Sequence, residues 1–190
     1  MGKRIDGQLT ALGAPQTFEV VPLGTATLPA KDRTGLLAFQ RKTARLQRAV
    51  LGAGKAAAEA QGRLNHIKKA VFDTPEADQN LRQRALALEN RLKDLQIKLT
   101  GDLLIRSHFE PISPSITSRV QAVVNGHWTS STASPTQTHR DDYNIAAEEF
   151  SEVLEALRML IEEDLKQLEA DLETAGGPYT PGRVPRWRRE

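Results

Sequence analysis

Two imidazoles and two carboxylates bracket one polar stretch of the chain: His127 and His139 at its ends, with Asp141 and Asp142 just beyond. Neutral imidazole and carboxylate are ligands for a divalent cation, and the same groups exchange protons in acid–base catalysis. Their spacing matches no compact ligand motif, and Asp141 is also placed to cap a helix. The stretch reads as a candidate interaction loop, formed by His127, Trp128, His139 and Asp142, ahead of a metal or catalytic centre. Glu148, Glu149, Glu152 and Glu155 hold enough carboxylate for the paired acid and base of glycoside cleavage. On an amphipathic helix the same residues form a solvated face or pair with a basic helix, and that reading takes precedence. Gly52-Ala53-Gly54-Lys55 invites a phosphate-loop reading, but the pattern needs Gly at position 49 and Ser or Thr at 56, and both are Ala. Close helix packing or a slight bend is expected of these glycines. His66 and His108 stand alone. No catalytic residue, metal or cofactor is assigned.

The apolar pattern says what must hold these groups. Leu36, Phe39, Thr43, Leu46, Val50, Ala53, Ala57, Ala60, Leu64, Ile67 and Val71 alternate at intervals of three and four. That is a heptad stripe along one long helix laid against partner helices. It predicts a helix from near Asp32 to about Phe72, roughly 60 Å long at ~1.5 Å per residue. Thr74 followed by Pro75 is a cap-then-proline signal. It opens a second helix that buries Leu81, Ala85, Leu88, Leu92, Leu95 and Leu99 and stops at Thr100-Gly101. Ser113-Pro114 repeats the signal for a short helix carrying Ile116, Val120, Val123 and Val124, ending at Asn125-Gly126. Trp128 then pins a Ser/Thr-rich loop to the bundle, or meets a neighbouring domain or ligand. Thr138 and Asp141 form a capping pattern for the last helix. Its stripe is Tyr143, Ala147, Phe150, Leu154, Leu157, Ile161, Leu165, Leu168 and Leu172, and Gly176-Gly177-Pro178 is its stop.

Ahead of the helices, Gln8-Leu9-Thr10 and Thr17-Phe18-Glu19-Val20-Val21 read as two short strands turning at Gly13-Ala14-Pro15. A lone hairpin is marginal in water, so this pair wants a larger sheet that the chain does not contain. The fold class is mainly α: an antiparallel three-column bundle of four helices, its middle column broken, with a short N-terminal β-hairpin. Residues 1–28 form the strands and a linker, 29–175 the bundle, and 176–190 a Pro/Arg-rich tail expected to be poorly ordered.

Composition narrows the partners. Of 190 residues, 39% are hydrophobic and only 5% aromatic, so the core must be mostly Leu, Ala, Val and Ile. The absence of Cys excludes disulfides and thiolate metal sites. No apolar run approaches the roughly 20 residues of a membrane span, and no signal peptide is read at the charged N-terminus. The net charge of +2 hides an asymmetry: residues 29–71 hold ten Lys/Arg against two acids, and residues 138–175 three against twelve. Flanking charges in helix packing choose partner and orientation, so the first and last helices are expected side by side. The basic helix lacks interleaved aromatics and has an acidic helix in its own chain, so nucleic acid is not expected. The tail arginines, Arg183, Arg186, Arg188 and Arg189, are better candidates for an acidic surface.

Several segments carry a resemblance. Asp6-Gly7-Gln8-Leu9 through Thr17-Phe18-Glu19-Val20, followed by Leu36-Leu37-Ala38-Phe39-Gln40-Arg41-Lys42, resembles the C-terminal part of large bacterial sortilin-like proteins. Those are β-propellers with sialidase-type BNR repeats, and many are labelled glycosyl hydrolases. Gly126-His127-Trp128, Tyr143–Phe150 and Gly177–Arg183 are similar to the same region. The resemblance implies that residues 4–22 are the last strands of an immunoglobulin-like sandwich preceding a helical bundle. It implies a secreted or periplasmic parent whose propeller is absent here, so no family catalytic residue can be carried over. The expected role is a non-catalytic structural or interaction module that docks the propeller or another protein. The alternatives are an accessory domain lending the His127–Asp142 loop to a glycan-processing site, or a freestanding helical adaptor that oligomerises through its heptads.

Overall fold

The computed structural model describes residues 2–11, 13, 14, 16–21, 23, 24, 28–102, 105, 107, 108, 113–127, 132–185 and 187–189. Helix α1 (Arg33–Asp73) starts at Asp32, whose carboxylate accepts the Gly35 N–H at 2.8 Å. Asn, Asp and Ser are favoured there because they satisfy a helix donor that has no partner in its own turn. The heptad stripe is its buried face from Phe39 to Val71, except for Leu46, which like Leu36 is only half-buried.

Helix α2 (Gln79–Thr100) begins later than the Thr74-Pro75 signal predicts. Thr74 closes α1 instead, its hydroxyl donating to the Ala70 carbonyl at 2.7 Å. Asp78 supplies the cap of α2, accepting the Leu81 N–H at 2.7 Å. The six leucine and alanine positions face inward as predicted, Leu95 only partly. Helix α3 (Ile116–His127) is likewise capped by Ser115 rather than Ser113, the Ser115 hydroxyl accepting the Ser118 N–H at 3.3 Å.

The last helix is capped by Thr136, not by Thr138. It runs as α4 (Gln137–Met159), a π-helical turn (Leu160–Asp164) and α5 (Leu165–Thr174) without a break. Its buried apolar residues are Ala146, Phe150, Val153, Leu157, Leu160, Leu165, Leu168 and Leu172. Four expected positions, Tyr143, Ala147, Leu154 and Ile161, are half-buried at the flank. The π turn explains the slip. A π turn admits one extra residue, and here the core steps five residues, from Leu160 to Leu165, without leaving its face.

Contacts between columns give the topology. Gln96 of α2 reaches the Ala57 carbonyl of α1 at 3.4 Å, while Lys68 reaches Glu89 at 2.5 Å, so α1 and α2 are antiparallel. Arg84–Asp171, Arg91–Asp164 and Arg119–Asp142 set α2 and α3 antiparallel to the last helix. Phe39 beside Tyr143 and Arg63 beside Glu169 make α1 parallel to it. This is the three-column bundle, with α2 and α3 sharing the middle column. Leu64, Ile67, Leu92, Leu99, Ile116, Leu160, Leu165 and Leu168 are among its most deeply buried side chains.

The hairpin is not the predicted one. Strand β1 (Gly2–Ile5) pairs antiparallel with β2 (Gln8–Ala11), Ile5 opposite Gln8, through the two-residue turn Asp6-Gly7. Both turn residues have positive φ, 49° and 83°, the mirror-image turn whose twist suits a hairpin and which Asp-Gly favours. Gln8–Thr10 is a strand as expected, but its partner precedes it, and Thr17–Val21 forms no strand among the described residues. Part of the tail packs on the bundle. Thr180 is buried, and Arg183 pairs with Glu173 and, at 3.4 Å, with Glu169. Arg186 lies outside the described residues.

Candidate functional site

Of the four residues of the expected interaction loop, Trp128 and the His127 side chain lie outside the described residues. The remaining two sit three residues apart on the first turns of α4, and each is engaged in holding the bundle. His139 is the fourth residue of a reciprocal cap: its N–H reaches the Thr136 hydroxyl at 3.3 Å, and its Nδ1 accepts the Thr136 N–H at 3.4 Å. That contact engages the Nδ1 lone pair in the cap. The Nε2 side faces Gly126, where an added Cβ would come within 2.8 Å of it. A side chain at Gly126 would oblige the imidazole to shift from its seat against the end of α3. Asp141 does not cap the helix; it accepts from the Gln137 amide at 2.8 Å.

Asp142 turns the other way, to α3. Its Oδ1 accepts from Arg119 Nη1 at 2.8 Å, both side chains about four-fifths buried. This pair forms one wall of a cleft of about 340 Å³, shared with Thr100, Ser113, Ser115 and Ser118. The Arg119 Nε is buried and has no hydrogen-bond partner among the described residues. An unsatisfied charged donor is expensive, yet the cation is already neutralised by Asp142. The Thr100, Ser115 and Ser118 hydroxyls bond to each other or to backbone, as Ser118 does to the Ser115 carbonyl at 2.8 Å, and among the described residues no base is hydrogen-bonded to them. The cleft can accept small polar groups, and among the described residues it holds no nucleophile–base pair.

The other motifs resolve simply. Gly52-Ala53-Gly54-Lys55 lies within α1, so its N–H groups are bonded inside the helix and cradle nothing. Close packing does not explain these glycines either, because a Cβ at Gly52 or Gly54 would meet nothing within 4 Å. Gly54 instead opens a shallow apolar groove of about 390 Å³ between α1 and the end of α2. Glu148, Glu149, Glu152 and Glu155 are exposed on α4. Among the described residues, no group of three or more His, Cys, Asp or Glu is arranged to hold a metal ion, and no helix is long and apolar enough to cross a membrane.

Sequence reasoning missed the most buried charge. Glu169 of α5 has a side chain 1% exposed and accepts from Arg63 of α1 through Nε at 3.0 Å and Nη2 at 2.8 Å. Arg183 of the tail closes over it. The signal was present: with the register set by Leu165, Leu168 and Leu172, Glu169 falls at a core position. The chain matches no protein-family model, no curated protein and no solved structure.

Proposed function

We propose that this chain is a non-catalytic structural or interaction module, the C-terminal helical bundle of a sortilin-like, BNR-propeller protein. The observation that carries the reading is the state of residues 2–28. Every described residue of that span is exposed, including Phe18 at 85%, Val20 at 83% and Leu23 at 91%. Exposed apolar residues gathered in one segment mark a surface meant to be covered, and a two-stranded hairpin needs further strands or a packing partner to be stable. A neighbouring domain would supply both. The polar groups of the bundle add to this: His139 caps a helix, and Asp142 joins two columns.

The test is the mass of the native protein, by blotting source cells with an antibody raised against residues 30–175. A band several times heavier than 21.0 kDa is expected. A band at 21.0 kDa overturns the reading as part of a propeller protein. If the heavier protein has glycan-processing activity, Asp142→Asn together with His139→Gln should leave it unchanged. A loss of activity in folded protein would overturn the non-catalytic assignment.

A further inference from the structure

The outer faces of the first and last helices carry charge that the bundle does not use. Arg41, Arg48 and Lys55 recur every seven residues along the exposed side of α1, and Asp141, Glu148 and Glu155 recur every seven along the exposed side of α4. A seven-residue repeat keeps side chains on one narrow stripe, with rungs about 10 Å apart at ~1.5 Å per residue. Among the described residues no ion pair reaches the three cations, Asp141 or Glu148, and Glu155 has only Arg158 at 3.9 Å on its own helix.

Each stripe also carries two exposed apolar side chains at one shared separation. Leu37 and Leu51 are fourteen residues apart on α1, and Ile145 and Met159 are fourteen apart on α4. We propose that the outer face of α1 docks antiparallel on the outer face of α4 of a second copy of this chain. Setting Leu37 level with Met159 sets Leu51 level with Ile145. The same register brings Arg41 level with Glu155, Arg48 with Glu148, and Lys55 with Asp141, so that every cation of the stripe meets a carboxylate. Arg33 then falls level with Glu163 in the π turn. Matched spacing and opposite sign on a single chain are the reason for a second copy. An unrelated polyanion would satisfy α1 and leave the acidic stripe bare. Within one copy the two stripes cannot meet, because α1 and the last helix turn their core faces toward each other. Flanking charges of this kind select partner and orientation in helix pairing.

This inference rests on the reading of the chain as an interaction module, and the two fail separately. The mass of the native protein tests that reading, and the salt response of the purified chain tests this one. Sedimentation velocity of the full chain at ~20 mM and ~500 mM salt is expected to show mass rising above the monomer at low salt and falling back at high salt, as screened charges require. Glu148→Lys with Glu155→Lys, and separately Arg41→Glu with Arg48→Glu, should each weaken self-association roughly tenfold or more. Both variants should keep the wild-type melting transition, since the substituted residues are exposed. Mixed together, the two variants restore complementary faces and should associate with each other. A wild-type chain that stays monomeric at low salt overturns the proposal. So does association indifferent to salt and to both reversals, or a mixture of folded variants that stays monomeric.

Discussion

Arg63 and Glu169 form a pair in which the two partners are unequally buried, and that inequality fixes the outcome of removing each. Glu169 is 1% exposed and Arg63 29% exposed. In Arg63→Ala the carboxylate stays inside the bundle and, among the described residues, keeps Arg183 alone, at 3.4 Å. Stranding one partner of a buried pair costs about 3–5 kcal/mol, and Arg183 offsets part of that, so a loss of about 3 kcal/mol is expected. In Glu169→Gln the guanidinium can turn its exposed side to water, so the loss is that of charge-assisted hydrogen bonds, about 1.5–2 kcal/mol. At ~2–4 °C per kcal/mol for a chain of this size, the midpoints fall by roughly 6–12 °C and 3–8 °C. The double substitution Arg63→Met with Glu169→Leu removes both charges and fills the space with apolar side chains; it should be near neutral or stabilising. Thermal and urea melts followed by circular dichroism supply all three values. If Glu169→Gln costs as much as Arg63→Ala, or the apolar double variant costs more than either, the buried carboxylate is not the element that dictates the balance.

Leu92 is fully buried between the columns. Leu92→Asp should abolish the cooperative melt, because an unpaired buried carboxylate costs several kcal/mol against a total of about 5–15; an unchanged midpoint would refute this assignment of the core. Asp171 titrates below the usual carboxylate range, chiefly through its hydrogen bond from Arg84, with burial opposing and Gln167 assisting. A depressed folded value means that its contribution is complete above the unfolded value of ~3.9 and disappears as pH falls through the lowered one. Wild type should therefore lose more stability than Arg84→Gln on acidification from about pH 5 to pH 2, and a difference between their melting points that does not change with pH would sink the linkage.

How much of this was legible in the sequence depends on how local each signal is. The α1 stripe was readable because its three-and-four spacing runs unbroken from Leu36 to Val71, whereas the competing register of Leu37 and Leu51 stops after two large residues. In the last helix two registers compete, since Ala146-Ala147, Val153-Leu154 and Leu160-Ile161 are adjacent apolar pairs. Either member continues the pattern, and the π turn after Met159 decides between them. The caps erred for a related reason. Thr74-Pro75 is a strong helix-start signal, but the Thr74 hydroxyl was already engaged by the Ala70 carbonyl of the preceding helix, and Asp78 took the role. The Asp6-Gly7 turn was legible and passed over in favour of a longer connection. The burial of Glu169 had a local signal, but its pairing with Arg63, like that of Asp142 with Arg119, could not be read, because each pairing depends on the axial register between columns far apart in sequence.

The charge asymmetry between the first and last helices acts through the middle column. Of the acids on the last helix that pair with another element, Asp142, Asp164 and Asp171 bond to arginines of α2 and α3, and only Glu169 reaches α1 among the described residues. Along α2 the two flanks carry different ion pairs, although Arg82 also lies on the α1 side, 6.0 Å from the Phe72 ring centroid. Glu89 faces basic α1, where Lys68 meets it, whereas Arg84 and Arg91 face the acidic last helix. A three-column bundle with the same core stripes could close with the opposite hand. Closing that way would exchange the flanks of α2, turning Arg84 and Arg91 toward α1 and Glu89 toward the acids. Each exposed pair is worth only about 0.2–1 kcal/mol. The difference between the two hands counts every pair twice, as an attraction lost and a repulsion gained, and it accumulates along the column. The Lys68–Glu89, Arg84–Asp171 and Arg91–Asp164 pairs thus favour the observed hand, each by a small increment, for a core of leucines and alanines.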